Sequence, residues 1–190
     1  MNNSILILII TLLVIFINYI SLLILIPFFS RIFLDKPNAR SSHKSPIARA
    51  GGTTFVLIGT IFSTFLGTFS QLICLPLAMV GLLDDRYNIS SLFRFFVQTL
   101  TVLFLCNLSD LFFLFDNNFL DYFLVIFSFF TGLAIINFIN FMDGIDGLVT
   151  GCMIIVLSTI AFQSEPSLWP LIGSLIGFLF LNWYPAKIFM

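Results

Sequence analysis

The sequence predicts an all-α fold: a polytopic membrane helix bundle of about seven transmembrane helices, with residues 1–190 forming a single integral-membrane domain. Three observations carry that prediction. Apolar side chains make up 59% of the 190 residues and charged ones 9%, with 26 Phe and a mean hydropathy of +1.12. A soluble domain is roughly one-quarter charged, so most of this chain requires an apolar solvent. The apolar residues fall into separate runs, and the basic residues cluster on alternate connections between them. The same numbers exclude disorder, and a net charge of −1 without a long basic block excludes a nucleic-acid partner. Cys74, Cys106 and Cys152 sit inside apolar runs without metal-ligand spacing, which points to lipid-facing or packing roles.

Taken in order, the first run extends from Ile5 to about Phe29. It is too long for a signal-peptide core and no small-residue cleavage site follows, so it reads as a retained span. Arg31 to Gly52 is the only extended polar stretch, and Pro37, Pro46, Gly51 and Gly52 mark it as a loop ending at a helix entry. Six further runs lie at about 53–68, 70–83, 92–108, 120–140, 148–163 and 168–184. The second and third share so little chain that each helix has about 15 residues, or ~22 Å, against the roughly 30 Å of a bilayer core.

With seven alternating spans, all eight bases fall on one side: Arg31, Lys36, Arg40, Lys44 and Arg49, then Arg86 and Arg94, then Lys187. The opposite connections hold Asp110, Asp116, Asp121 and Glu165. Because cytoplasmic loops carry the excess of Lys and Arg, the N-terminus is expected outside and the C-terminus in the cytoplasm. Asp84, Asp85, Asp143 and Asp146 then share the cytoplasmic face with the bases.

Four polar clusters on that face carry possible chemistry, and each also has an ordinary reading. The loop 31–52 serves as a positive-inside anchor, yet His43 among Arg40, Lys44 and Arg49 also offers donors to a phosphate. Asp84-Asp85-Arg86 marks a helix exit; adjacent carboxylates at an apolar boundary are equally favoured by a cation such as Mg²⁺ carrying substrate phosphates. In Asn137-Phe-Ile-Asn140-Phe-Met-Asp143-Gly144-Ile-Asp146-Gly147, the two amides lie on one helix face and the glycines let a ligand approach closely. The plain alternative is a polar turn in which Asp146 caps the next helix. An EF-hand is excluded, because Ile145 occupies a ligand position and no bidentate Glu follows. The fourth cluster, Asn182 to Met190, reads by itself as an interfacial aromatic belt with a snorkelling Lys187.

Together these residues resemble a known family. Pro37-Asn38-Ala39-Arg40-Ser41-Ser42-His43 with Pro46, Arg49, Gly51 and Gly52, then Gly81-Leu-Leu-Asp84-Asp85-Arg86 followed by Arg94 and Gln98, then the Asn-rich turn, look like the polyprenyl-phosphate sugar-1-phosphate transferases. The first loop is most similar to the branch that starts O-antigen lipid intermediates. The resemblance covers about residues 30–190. It implies a Mg²⁺-dependent membrane enzyme of the bacterial cytoplasmic (inner) membrane, active at its cytoplasmic face. Its partners would be membrane lipid, UDP-N-acetylhexosamine and undecaprenyl phosphate. By resemblance, Asp84 and Asp85 handle the lipid phosphate, and Asn140, Asp143 and Asp146 contact nucleotide. Arg40, His43 and Arg49 neutralise the diphosphate, and Asp84, Asp85, Asp143 and Asp146 serve the metal. The chain departs from the family where Ile47-Ala48-Arg49-Ala50-Gly51-Gly52 stands for the usual Thr-Pro-Arg-Gly-Gly-Gly. The family also continues past Pro185-Ala-Lys-Ile-Phe-Met190 into a Gly-Asp motif and a further cytoplasmic loop, which makes this sequence look like the N-terminal part of a transferase with a missing C-terminal half. A catalytically inactive membrane remnant is the alternative reading. A transporter subunit fits less well, because transport sites sit near the bilayer midplane and these carboxylates lie at span ends.

Overall fold

The computed structural model describes residues 3–35, 46–109 and 119–190. Seven helices follow one another among them: α1 (Asn3–Ile32), α2 (Gly51–Phe65), α3 (Leu75–Tyr87), α4 (Ser91–Leu108), α5 (Phe119–Met142), α6 (Leu148–Gln163) and α7 (Trp169–Asn182). Each apolar run has become one helix. By length and composition α1, α4 and α5 are able to cross a membrane, whereas α2, α6 and the stretch from Pro166 to Asn182 are shorter apolar helices. The cramped hairpin expected from the spacing is present: α2 has 15 residues and α3 has 13, with a 3₁₀ turn at Ser70–Cys74 before α3.

The bundle is organised around α7, which packs against α1, α2 and α6. Lipid is as apolar as leucine, so helices in it associate through close van der Waals contact and small residues. Gly173 and Gly177, four apart on α7, provide this: a Cβ on Gly173 would lie 2.8 Å from the Thr11 carbonyl oxygen, and one on Gly177 would lie 2.6 Å from that of Ile15. The contact is latched by the fully buried Asn18, whose Nδ2 donates to the Ser174 carbonyl at 2.6 Å. Phe16, Phe104, Phe127 and Phe130 remain exposed on the outside of α1, α4 and α5, where lipid would cover them. Gly177→Val is therefore expected to destabilise the bundle by about 2 kcal/mol or more, since a backbone obstacle cannot yield. Gly151→Val, with open space beside it on α6, serves as the control. Thermal unfolding in detergent checks this; equal midpoints for the two variants would disprove backbone contact between α1 and α7.

One departure from pure helix occurs beside the polar loop. The sequence reads 31–52 as loop, but its two shoulders pair: β1 (Leu34–Asp35) runs antiparallel to β2 (Ile47–Ala48). Ala48 also bridges in parallel to Ile188, with Phe189 N–H donating to the Ala48 carbonyl at 2.8 Å. Backbone donors and acceptors leaving an apolar bundle must find partners, and here the chain end supplies them. At the entry to α2, Ala50 takes a left-handed conformation with φ of 75°. A glycine would adopt this conformation without strain, whereas an L-residue there costs roughly 1–2 kcal/mol. Gly51 remains indispensable: a Cβ would strike the Phe178 ring and sit 2.9 Å from the Phe189 carbonyl.

Candidate functional site

Where α2 begins and α3 and α5 end, the bundle encloses a cavity of about 690 Å³. Its apolar depth runs along α3 past Leu77 and Ala78, and its polar end gathers residues from four segments.

Asp84 and Asp85 come from the last turns of α3, which stops at Asn88 in a left-handed conformation (φ 48°) whose N–H returns to the Asp84 carbonyl at 3.0 Å. Two neighbouring carboxylates at a helix C-terminus repel each other and oppose the helix dipole. Each is offset by its own arginine. The short turn after α3 swings α4 back, with the Ser90 hydroxyl accepting the Phe93 N–H, so that Arg94 Nη1 meets Asp84 Oδ2 at 2.5 Å. Arg49, leaving β2, approaches Asp85 Oδ1 at 3.8 Å. All four side chains are partly solvated, which limits each pair to a modest stabilisation. Their effect is to hold alternating charges along one wall.

The opposite wall is α5. Asn137 Nδ2 donates to Gln98 Oε1 at 3.0 Å and to the Leu133 carbonyl at 2.8 Å, tying α5 to α4. One turn on, Asn140 lines the cavity and also a second hollow of about 350 Å³ between α4 and α5, bounded by Leu92, Arg94, Phe95 and Gln98. The charged cavity and this hollow thus share Arg94, Gln98 and Asn140 as a common wall, between two helices of membrane-crossing length. After Met142 the chain turns; Asp143 is exposed and, with Gly144, borders the cavity. Gly147 completes the turn at φ 69°, and a Cβ there would lie 3.0 Å from the Trp183 ring.

Of the residues singled out in the sequence, the fold therefore brings Arg49, Asp84, Asp85, Asn140 and Asp143 to one cavity. Arg40 and His43 lie outside the described residues. Asp146 does not border the cavity: its Oδ2 accepts the Ala186 N–H at 3.0 Å, while its Oδ1 is buried without a hydrogen-bond partner. Nor does it cap α6. Gly147 occupies the cap position, and the acceptor comes from Asn182 Oδ1, which receives Gly147 N–H at 3.2 Å and the Thr150 hydroxyl at 2.9 Å. Sequence reasoning named Arg94 and Gln98 among the motif residues without giving them a part in the site, and read Asn182 as part of an aromatic belt. The ten-residue step from Asp84 to Arg94 crosses a helix turn, so no periodicity rule links them.

For Mg²⁺ the donor chemistry is suitable, since Asp84, Asp85 and Asp143 offer hard oxygens to one cavity. The number is not: among the described residues no three carboxylate, His or Cys side chains gather closely enough to hold a metal ion. Protein groups alone do not make a metal cage here, and substrate phosphates would have to complete the shell.

The fold and site define a polytopic membrane protein with a charged, carboxylate- and arginine-lined cavity at one end of its helix bundle. Residues 68–190 match the model of glycosyl transferase family 4, and the chain belongs to that family. It is 31% identical over 92% of its length to a probable undecaprenyl-phosphate N-acetylglucosaminyl 1-phosphate transferase of Bacillus subtilis, of which it covers 56%. To the undecaprenyl-phosphate alpha-N-acetylglucosaminyl 1-phosphate transferase of Thermotoga maritima it is 31% identical over 83% of its length, covering 50% of that protein. A phospho-N-acetylmuramoyl-pentapeptide-transferase of Listeria welshimeri is 40% identical over 37% of the chain and is covered to 24%. The chain thus spans about half the length of the two relatives it matches most broadly.

Proposed function

We propose that this chain forms the carboxylate-bearing half of a polyprenyl-phosphate sugar-1-phosphate transferase, passing N-acetylhexosamine 1-phosphate from a UDP-sugar to undecaprenyl phosphate. An oxygen of the lipid phosphate attacks the sugar-bearing phosphorus of the donor. The bond from that phosphorus to the bridging oxygen breaks, and UMP leaves with the bridging oxygen. The observation that carries this reading is that Arg94, Gln98 and Asn140 border both the charged cavity and a groove between α4 and α5. An amphiphilic acceptor can keep its chain in lipid while its phosphate reaches Arg94 and Asp84.

Phosphoryl transfer is chiefly positioning and charge neutralisation. Asp84 and Asp85 position the lipid phosphate, Arg49 neutralises the diphosphate, a role the resemblance gives also to Arg40 and His43, and Asn140 and Asp143 address the nucleotide, whereas Asp146, held by the Ala186 N–H, takes no part. One or two of Asp84, Asp85 and Asp143 would share Mg²⁺ with substrate phosphates, and the ion would supply charge withdrawal from the transferring group. A second reading, a non-catalytic membrane remnant, is favoured by one observation: among the described residues the carboxylates do not gather into a metal site.

The test is a chimera in which residues 1–190 are joined to the C-terminal half of the Bacillus subtilis relative. In nanodiscs containing undecaprenyl phosphate, it should release UMP from a UDP-N-acetylhexosamine, and EDTA should stop it. A well-folded chimera that is silent while the intact relative turns over would favour the remnant.

The active face is proposed to be cytoplasmic, on the charge asymmetry of the connections. Tyr87→Cys, beside the cavity mouth, should label only from the cytoplasm, and Ser164→Cys, at the far end of α6, only from outside. Labelling of both from one side would refute the topology.

A further inference from the structure

Asn182, the last residue of α7, is 4% exposed, and its amide is hydrogen-bonded on both sides. Its oxygen accepts from Gly147 N–H and from the Thr150 hydroxyl, and its Nδ2 donates to the Ile188 carbonyl at 2.9 Å. None of these partners lines the cavity, but each directly adjoins a segment that does, Asp143–Gly144 on one side and Phe189–Met190 on the other. Gly147 and Thr150 belong to the entry of α6, immediately after the turn that presents Asp143. Ile188 is fully buried in the chain-end segment that bridges to Ala48, and the next carbonyl, of Phe189, accepts the Gly51 N–H at 3.0 Å. Between Ala48 and Gly51 stands Arg49. We infer that Asn182 is a positioning residue: a single buried amide clasps the Asp143 turn to the segment that carries Arg49 and so sets the width of the charged cavity.

Each partner lacks a group that Asn182 supplies. Helix-entry N–H groups have no intrahelical acceptor, and the α6 cap, Gly147, has no side chain to supply one. The Ile188 carbonyl needs a donor at the same point. Only a side chain with both an acceptor and a donor serves both, which an Asp or a Leu in this place would not. A buried polar group left unpaired is costly, so loss of the amide should open the clasp rather than leave it standing. The bond from Ala186 N–H to Asp146 runs beside it as a second tie between the same two segments. Any consequence for turnover rests on the transfer reaction proposed above; the clasp itself does not.

Nitroxide mobility in the 190-residue chain in nanodiscs, with its three cysteines replaced, reads the clasp without any need for catalysis. Labels would stand at Gly144→Cys on the turn, where a side chain meets open space, at Lys187→Cys on the chain-end segment, and at Gln163→Cys at the far end of α6. Asn182→Ala should raise the mobility read at 144 and 187 above that of the parent, through freer backbone motion, and leave 163 unchanged. Asn182→Asp, which keeps the acceptor and loses the donor, should mobilise 187 while 144 stays ordered. Should Asn182→Ala loosen all three sites by unfolding the bundle, Thr150→Val decides: mobility gained at 144 alone supports the clasp. Unchanged spectra at 144 and 187 in Asn182→Ala, or at 144 in Thr150→Val after such unfolding, overturn it.

Discussion

A polypeptide of residues 1–190 by itself is expected to release no measurable UMP from a UDP-N-acetylhexosamine with undecaprenyl phosphate, with or without Mg²⁺. Magnesium requires near-octahedral oxygen coordination and is usually held by one or two carboxylates plus substrate phosphates. Asp84 is already engaged by Arg94, Asp85 is faced by Arg49, and Asp146 is turned to the Ala186 N–H. No third carboxylate joins Asp84 and Asp85 to make a ligand group among the described residues. The cavity is also broad and only half closed, so water exclusion and the fixing of an in-line geometry both fail. The relatives are about twice as long, and the additional chain is where the remaining ligands and walls are proposed to lie. Purification in detergent and in nanodiscs, with UMP followed in the presence and absence of EDTA, checks this. Sustained EDTA-sensitive turnover that Asp143→Asn abolishes would show that these residues suffice.

In the completed chimera, Asp85→Asn and Asp143→Asn should each reduce turnover by about 100-fold or more, on the order of 3 kcal/mol of transition-state stabilisation. Expression and thermal midpoint should change little. Both side chains border the cavity at helix ends, and neither fills a core, so removing the charge leaves the packing intact. Asn keeps the shape and an oxygen but cannot neutralise a cation or repel a misplaced phosphate. A change within about twofold, under ~0.5 kcal/mol, would return the two carboxylates to the role of polar helix exits. Measuring kcat and KM separately adds resolution: a loss confined to kcat marks an interaction made in the transition state, and one confined to KM marks uniform binding.

How much of this was legible in the chain can be argued from particular residues. Gly81-Leu-Leu-Asp84-Asp85-Arg86 and the turn Asp143-Gly-Ile-Asp146 stood out because charge in an apolar chain is expensive and therefore informative. Placing both at the same depth put them on one face; that Asp84, Asp85 and Asp143 share a cavity and Asp146 does not was decided by packing. That Asp84 takes Arg94 and Asp85 takes Arg49 was not legible, since a hydropathy run says where a helix lies and nothing of how it is rotated. Asn182 illustrates the point more sharply. Beside Trp183, Tyr184 and Lys187 it has the composition of a membrane interface, and only the folding of Ile188 back onto Ala48 makes it the buried partner of Gly147.

The sequence by itself determined the solvent, the order of the seven helices, the shortness of the α2–α3 hairpin and the family motifs, because these depend on local composition and on chain length between charges. The tertiary structure decided which motif residues meet. It placed Asp143 with Asp84 and Asp85, and it turned Asp146 away to the Ala186 N–H. It also made an amide at the end of α7 the cap of α6. Those outcomes depend on helix rotation and on backbone groups that need partners across the bundle. Both are set by packing, above all by the approach of α1 to Gly173 and Gly177 on α7, and a one-dimensional pattern does not encode it.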